Sequence, residues 1–146
     1  MNSKSRELRT TLQIALGFLM VTGGIMHFTI PASRWNLPLI DALKATGYMW
    51  EMIAIVNLVA GLALVVGRFV PLALLVLAPI SLNILLIHLA NPGEGGIPIG
   101  LAIGGLQIVV SWLYWSEFHN FFSVNASLDP TKIEAPHANT KLSLEA

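Results

Sequence analysis

Four long apolar runs dominate the chain, at residues 11–28, 48–66, 69–90 and 97–115. A helix that crosses the hydrocarbon core needs roughly 20 mostly apolar residues, so each run is a candidate membrane span. The second and third runs meet at a tight turn around Gly67 and Arg68. Pro71 falls in the first turn of the third helix, where its missing N–H costs nothing. Pro79 lies inside that helix and cannot donate to the Leu75 carbonyl, so a kink is expected there. Between the first two runs, Asn36, Leu37 and Pro38 read as a helix start and Gly47 as its stop. Leu37, Ile40 and Leu43 share one face, which predicts a short interfacial helix over the outer end of the bundle. Residues 91–96 (Asn-Pro-Gly-Glu-Gly-Gly) are turn chemistry. After the fourth run, Phe118, Phe121 and Phe122 suit a membrane interface. The expectation is an all-α, integral-membrane, antiparallel four-helix bundle at residues 1–122. A polar, flexible tail with Pro130 and Pro136 follows at 123–146.

Composition agrees with a lipid-facing surface. Only 11% of residues are charged and 55% are hydrophobic, whereas soluble domains carry about 25% charged residues. Mean hydropathy is +0.71. A soluble reading would need four such runs buried in 146 residues. Net charge is zero, and no basic patch suggests nucleic acid. The absence of cysteine removes disulfides, thiol catalysis and thiolate metal sites. No cleavable signal is expected in the first span, since Ile25, Met26, His27 and Phe28 offer no small-residue cleavage site. Lys4, Arg6, Arg9, Arg68, Lys132 and Lys141 fall on one side of a four-span arrangement, and Arg34 and Lys44 on the other. This bias predicts cytoplasmic termini. Trp35, Tyr48 and Trp50 then mark the outer interface, and Trp112, Tyr114 and Trp115 the inner one.

Three ionisable residues lie just inside the outer ends of three spans: His27, Glu51 and His88. Such groups at membrane depth are costly and mark a functional site by default. By helical periodicity Glu51 shares a stripe with Ala54, Leu58 and Gly61. His88 shares one with Ser81, Ile84 and Leu85, and Gln107 one with Gly100 and Gly104. Asn57, Asn83 and Gln107 lie nearer the midplane. The expectation is an outward-facing pocket with His27, Glu51 and His88 as an ionisable, catalytic rim. Asn83, Asn57, Gln107 and Trp50 bind the ligand, and residues 36–46 form a lid. Asn57 is about 120° around the helix from Glu51, and Asn83 about 140° from His88, so the asparagines can instead bridge helix seams. An interfacial histidine can be a wet, snorkelling side chain, and Glu51 can form a structural pair with a histidine. Two histidines and a carboxylate can ligate a metal, but no local motif supports it, and neither metal nor haem is expected. His119 and His137 lie outside the spans and carry no signal. Gly100 and Gly104 form a small-xxx-small pair, read as packing within the bundle or as a surface for a homodimer or partner subunit.

Residues 61–89 (GLALVVGRFVPLALLVLAPISLNILLIHL) resemble the second and third helices of the DoxX family of small four-span membrane proteins. Glu51 opening the second span, the Gly67–Arg68 turn and the run Pro79, Asn83, His88 carry the resemblance, which extends more weakly over residues 10–122. It implies a four-helix protein of a bacterial or archaeal cytoplasmic membrane, in some members associated with oxidoreductase systems, including a thiosulfate:quinone oxidoreductase. Without cysteine this chain departs from any thiol-redox scheme, so a quinone or a partner subunit must carry electrons. The leading expectation is a subunit of a membrane oxidoreductase system whose pocket takes a small apolar or quinone-like molecule. The alternatives are a non-enzymatic assembly factor and an acid–base enzyme acting on a lipophilic substrate.

Overall fold

The computed structural model describes residues 3–31, 38–90 and 97–123. Every element among them is an α-helix: α1 (Ser3–Thr29), α2 (Pro38–Ala45), α3 (Met49–Val66), α4 (Val70–Ala90), α5 (Ile97–Leu113) and α6 (Trp115–Ser123). Three of these, α1, α3 and α4, are long and apolar enough to cross a membrane. With 17 residues, α5 is shorter, about 25 Å at the usual rise per residue. The expected helix start at Asn36, the turn at 91–96 and the polar tail from 124 onward lie outside the described residues.

The distribution of side chains is that of a membrane protein. Phe18, Ile25, Val59, Leu62, Leu82 and Ile108 are exposed, while Gln13, Asn57, Ser81 and Gln107 are buried. Water would reverse this arrangement, whereas lipid permits it because exposed apolar surface costs nothing there. Polar groups then turn inward to find partners.

Residues through Trp115 form one compact unit, and the chain from Ser116 forms a second, to which most of α6 belongs. Within the first unit, α1 packs most extensively on α3, and α4 on α5. Lighter contacts join α3 to α4, α1 to α5 and α2 to α3. Small residues set the α1–α3 approach. A Cβ built on Gly17 would lie 2.8 Å from the Gly61 carbonyl oxygen, and one on Gly61 would lie 2.9 Å from that of Gly17. Gly24 meets the Ala54 carbonyl oxygen in the same way, at 2.9 Å. Without a hydrophobic force between helices in lipid, such backbone proximity supplies the dispersion contacts that hold them.

The same logic corrects one reading of the sequence. Gly100 lies under His88, with a built Cβ 2.7 Å from the His88 Cβ, and Gly104 lies under Leu85 at 2.9 Å. The small face of α5 is therefore covered by α4 of the same chain and does not present a surface for a second copy or a partner subunit.

Helix ends follow local chemistry. Gly67 adopts φ 74° beyond the end of α3. Its N–H donates to the Leu64 carbonyl at 3.2 Å, and that of Arg68 to Ala63 at 3.0 Å. This is the Schellman pairing, which needs a left-handed residue that glycine adopts without strain. At the α2–α3 joint Gly47 has φ 80°. There the Thr46 hydroxyl oxygen accepts from the Met49 N–H at 3.1 Å, satisfying one free donor at the start of α3.

Candidate functional site

At the end of the bundle where α1 finishes and α3 begins, a cavity of about 250 Å³ opens beneath α2. Its walls are mostly aliphatic: Leu39, Ile40 and Leu43 from α2, Ile53 from α3, and Ile80, Ile84 and Ile87 from α4. Among them stand five residues with polar atoms: His27, Trp50, Asn57, Asn83 and His88. This is the composition of a small-ligand site, with an apolar body and a few placed polar groups.

Each polar group has a distinct setting. Trp50 is buried against Ile40, with Leu43 packed on the pair, so α2 is held over the cavity by this contact. The Trp50 indole Nε1–H donates to the His27 carbonyl at 3.3 Å. The His27 and Trp50 rings lie 4.2 Å apart between centroids, tilted by 35°. Trp50 thereby fixes the first turn of α3 against the last turn of α1.

The two histidines make the same kind of backbone contact, each on its own helix. His27 Nδ1 lies 2.8 Å from the Gly23 carbonyl oxygen, and His88 Nδ1 lies 2.7 Å from that of Ile84. Each ring is thus turned back on its own helix one turn earlier. Asn57 is 2% exposed, and its Oδ1 has no hydrogen-bond partner. A buried acceptor left without a donor costs about 1–3 kcal/mol, and among the described residues it is the one buried side-chain polar atom without a partner. Asn83 is largely exposed, at the cavity margin.

Five of the seven residues singled out in the sequence meet at this cavity, and two do not. Glu51 is exposed on the outer face of α3 and does not line it. The reason is geometric. The buried stripe of α3 runs through Trp50, Ala54, Asn57, Gly61 and Leu64, and Glu51 lies about 100° around from Trp50. The indole occupies the inward direction at this depth. No ion pair of Glu51 with a histidine occurs among the described residues. Glu51 therefore stands apart from the residues that line this cavity.

Gln107 is buried between α4 and α5 instead. Its Nε2 donates to the Leu74 carbonyl at 2.9 Å, and its Oε1 accepts from the Ser81 hydroxyl at 3.5 Å. It fastens these helices together and does not reach the cavity. Asn57 and Asn83 both line the one cavity. Among the described residues no three His, Asp or Glu side chains gather as a metal-binding set.

A second polar centre was not read from the sequence. The Gln13 Nε2 donates to the Leu64 carbonyl at 2.5 Å, and its Oε1 accepts from the Tyr114 hydroxyl. The Arg9 guanidinium lies 3.5 Å over the Tyr114 ring, a cation–π arrangement. This cluster joins α1, the end of α3 and the end of α5. The signal available was Gln13 itself, an amide inside an apolar run. A further recess of about 390 Å³ between α3 and α4 is lined only by apolar residues, including Ile55, Val59, Phe69 and Val76, and offers nothing to orient a ligand.

No protein-family model, no curated protein and no solved structure matches the chain.

Proposed function

We propose that the chain is a DoxX-like integral membrane protein of four spans. In this reading its cavity binds one small apolar or quinone-like molecule, and the protein serves as a subunit of a membrane oxidoreductase system. One observation carries it: Asn57, buried with its Oδ1 unpartnered, is set among the aliphatic walls of a cavity closed by α2. A ligand whose head donates a hydrogen bond there, as the hydroxyl of a reduced quinone does, removes the cost of the orphan acceptor and fills the apolar space at once. His27 and His88 also line the cavity and offer ring nitrogens to a bound head group. With no cysteine in the chain, the ligand or a partner subunit carries any electrons.

The registers of the helix contacts support neighbours running in opposite directions. Gly17 lies against Gly61 and Gly24 against Ala54, while Gly100 lies against His88 and Gly104 against Leu85. In this topology α5 is the fourth span, the termini are cytoplasmic, and the cavity faces outward. The cavity's volume of about 250 Å³ suits a single ring with a short chain.

The test is titration of the detergent-purified protein with a short-chain quinone analogue in its oxidised and reduced forms, followed by tryptophan fluorescence. Saturable quenching is expected with at least one form. Asn57→Leu should weaken binding about tenfold, the consequence of losing one buried hydrogen bond. Absence of saturable quenching with either form would remove the pocket reading.

A further inference from the structure

Resting on the pocket reading above, we infer that the cavity selects a ligand whose head is a hydroxyl, an apolar alcohol or phenol that donates to Asn57. The inventory of donors and acceptors around the cavity leads there. Asn57 Oδ1 is an acceptor with no donor. His88 Nδ1 faces the Ile84 carbonyl oxygen, and a carbonyl only accepts, so Nδ1 holds the proton of the contact. A neutral imidazole in that tautomer has Nε2 as an acceptor. His27, on the Gly23 carbonyl, is held in the same tautomer. The one indole donor of the site is directed to the His27 backbone carbonyl.

Asn57 Nδ2 and the Asn83 amide at the margin bring donors, so the site offers donors beside an acceptor that lacks one. A hydroxyl meets both needs, because it donates one hydrogen bond and accepts others. An ether or a ketone head brings acceptors only and would leave Asn57 Oδ1 without a donor. The aliphatic residues of α2 and α4 take the apolar body.

The pair 4-butylphenol and 4-butylanisole isolates this property, because the two share ring and chain and differ in whether the oxygen can donate. Binding of each to the intact, detergent-purified protein is measured by titration calorimetry against protein-free micelles. The ether partitions more strongly into detergent, which lowers its free concentration and imitates the expected order, so each affinity is referred to the free concentration fixed by the protein-free micelle titration. The phenol should bind the wild-type protein at least about tenfold more tightly than the ether. In Asn57→Leu the gap should shrink to within about twofold, since no orphan acceptor remains. Equal binding of both compounds to the wild type would overturn the hydroxyl inference and leave the apolar pocket standing. A gap that persists in Asn57→Leu would overturn Asn57 as the acceptor. Binding of neither compound would overturn the pocket reading and this inference with it. Should Asn57→Leu fail to fold, the wild-type comparison still decides between selection and none.

Discussion

Asn57 and Glu51 lie on the same helix, yet the amide is enclosed and the carboxylate is turned outward. Physical cost follows environment, not formal charge. A carboxylate at the end of a span reaches the interface and keeps its water, while an enclosed amide has only what its neighbours offer. Glu51→Gln should therefore change unfolding stability in detergent by no more than about 0.5 kcal/mol. It should also leave ligand affinity unaltered. A larger loss in thermal denaturation, or weakened binding, would return Glu51 to the site. His27, Asn57, Asn83 and His88 were legible because polar groups in apolar runs are few and conspicuous. Which of them face inward was less legible. Counting the stripe from Glu51 set it about 100° from the one that Trp50 occupies, because periodicity gives relative angles and no origin. Gln13 was missed because its partners, the Leu64 carbonyl and Tyr114, lie 51 and 101 positions away in the chain.

The helices themselves were read closely because their signals are local: apolar length, Gly67 as a stop, and a proline in the first turn of α4. Pairing was not local. Gly17, Gly23, Gly24 and Gly61 are alike in the sequence as glycines inside apolar runs, but space separates them. A Cβ on Gly17 would press on the Gly61 backbone, whereas one on Gly23 would meet nothing within 4 Å. Gly17→Ala should destabilise the protein by about 1–3 kcal/mol, the usual cost of overpacking. Gly23→Ala should be neutral or stabilising by up to about 1 kcal/mol, since alanine is the better helix former. Thermal unfolding of the two variants side by side checks this, and equal behaviour would contradict the α1–α3 packing. The Gly100 and Gly104 pair shows the converse ambiguity. A small-residue motif states that something approaches closely, and only the fold shows that the neighbour is α4 of the same chain.

For the whole molecule, an apolar exterior with its few polar side chains turned inward fits a bilayer, and the proposed topology can be tested directly because the chain has no native cysteine. Single cysteines at two exposed positions, Ala42→Cys and Ser5→Cys, should react differently with a membrane-impermeant maleimide. Ala42→Cys should label on intact cells and Ser5→Cys only after lysis; the reverse pattern would invert the orientation. The Gln13 cluster has a mechanical consequence for such a molecule. Gln13 lies 14 positions before His27 on α1, a distance of about 21 Å along the axis. There it ties α1, α3 and α5 together. Glycine contacts lock α1 to α3, and Gly100, Gly104 and Gln107 lock α4 to α5. The cavity occupies the lighter seam between these two pairs. Like a pair of tongs, the helix pairs are joined at Gln13, and the cavity with His27 and Trp50 lies at the other end of α1.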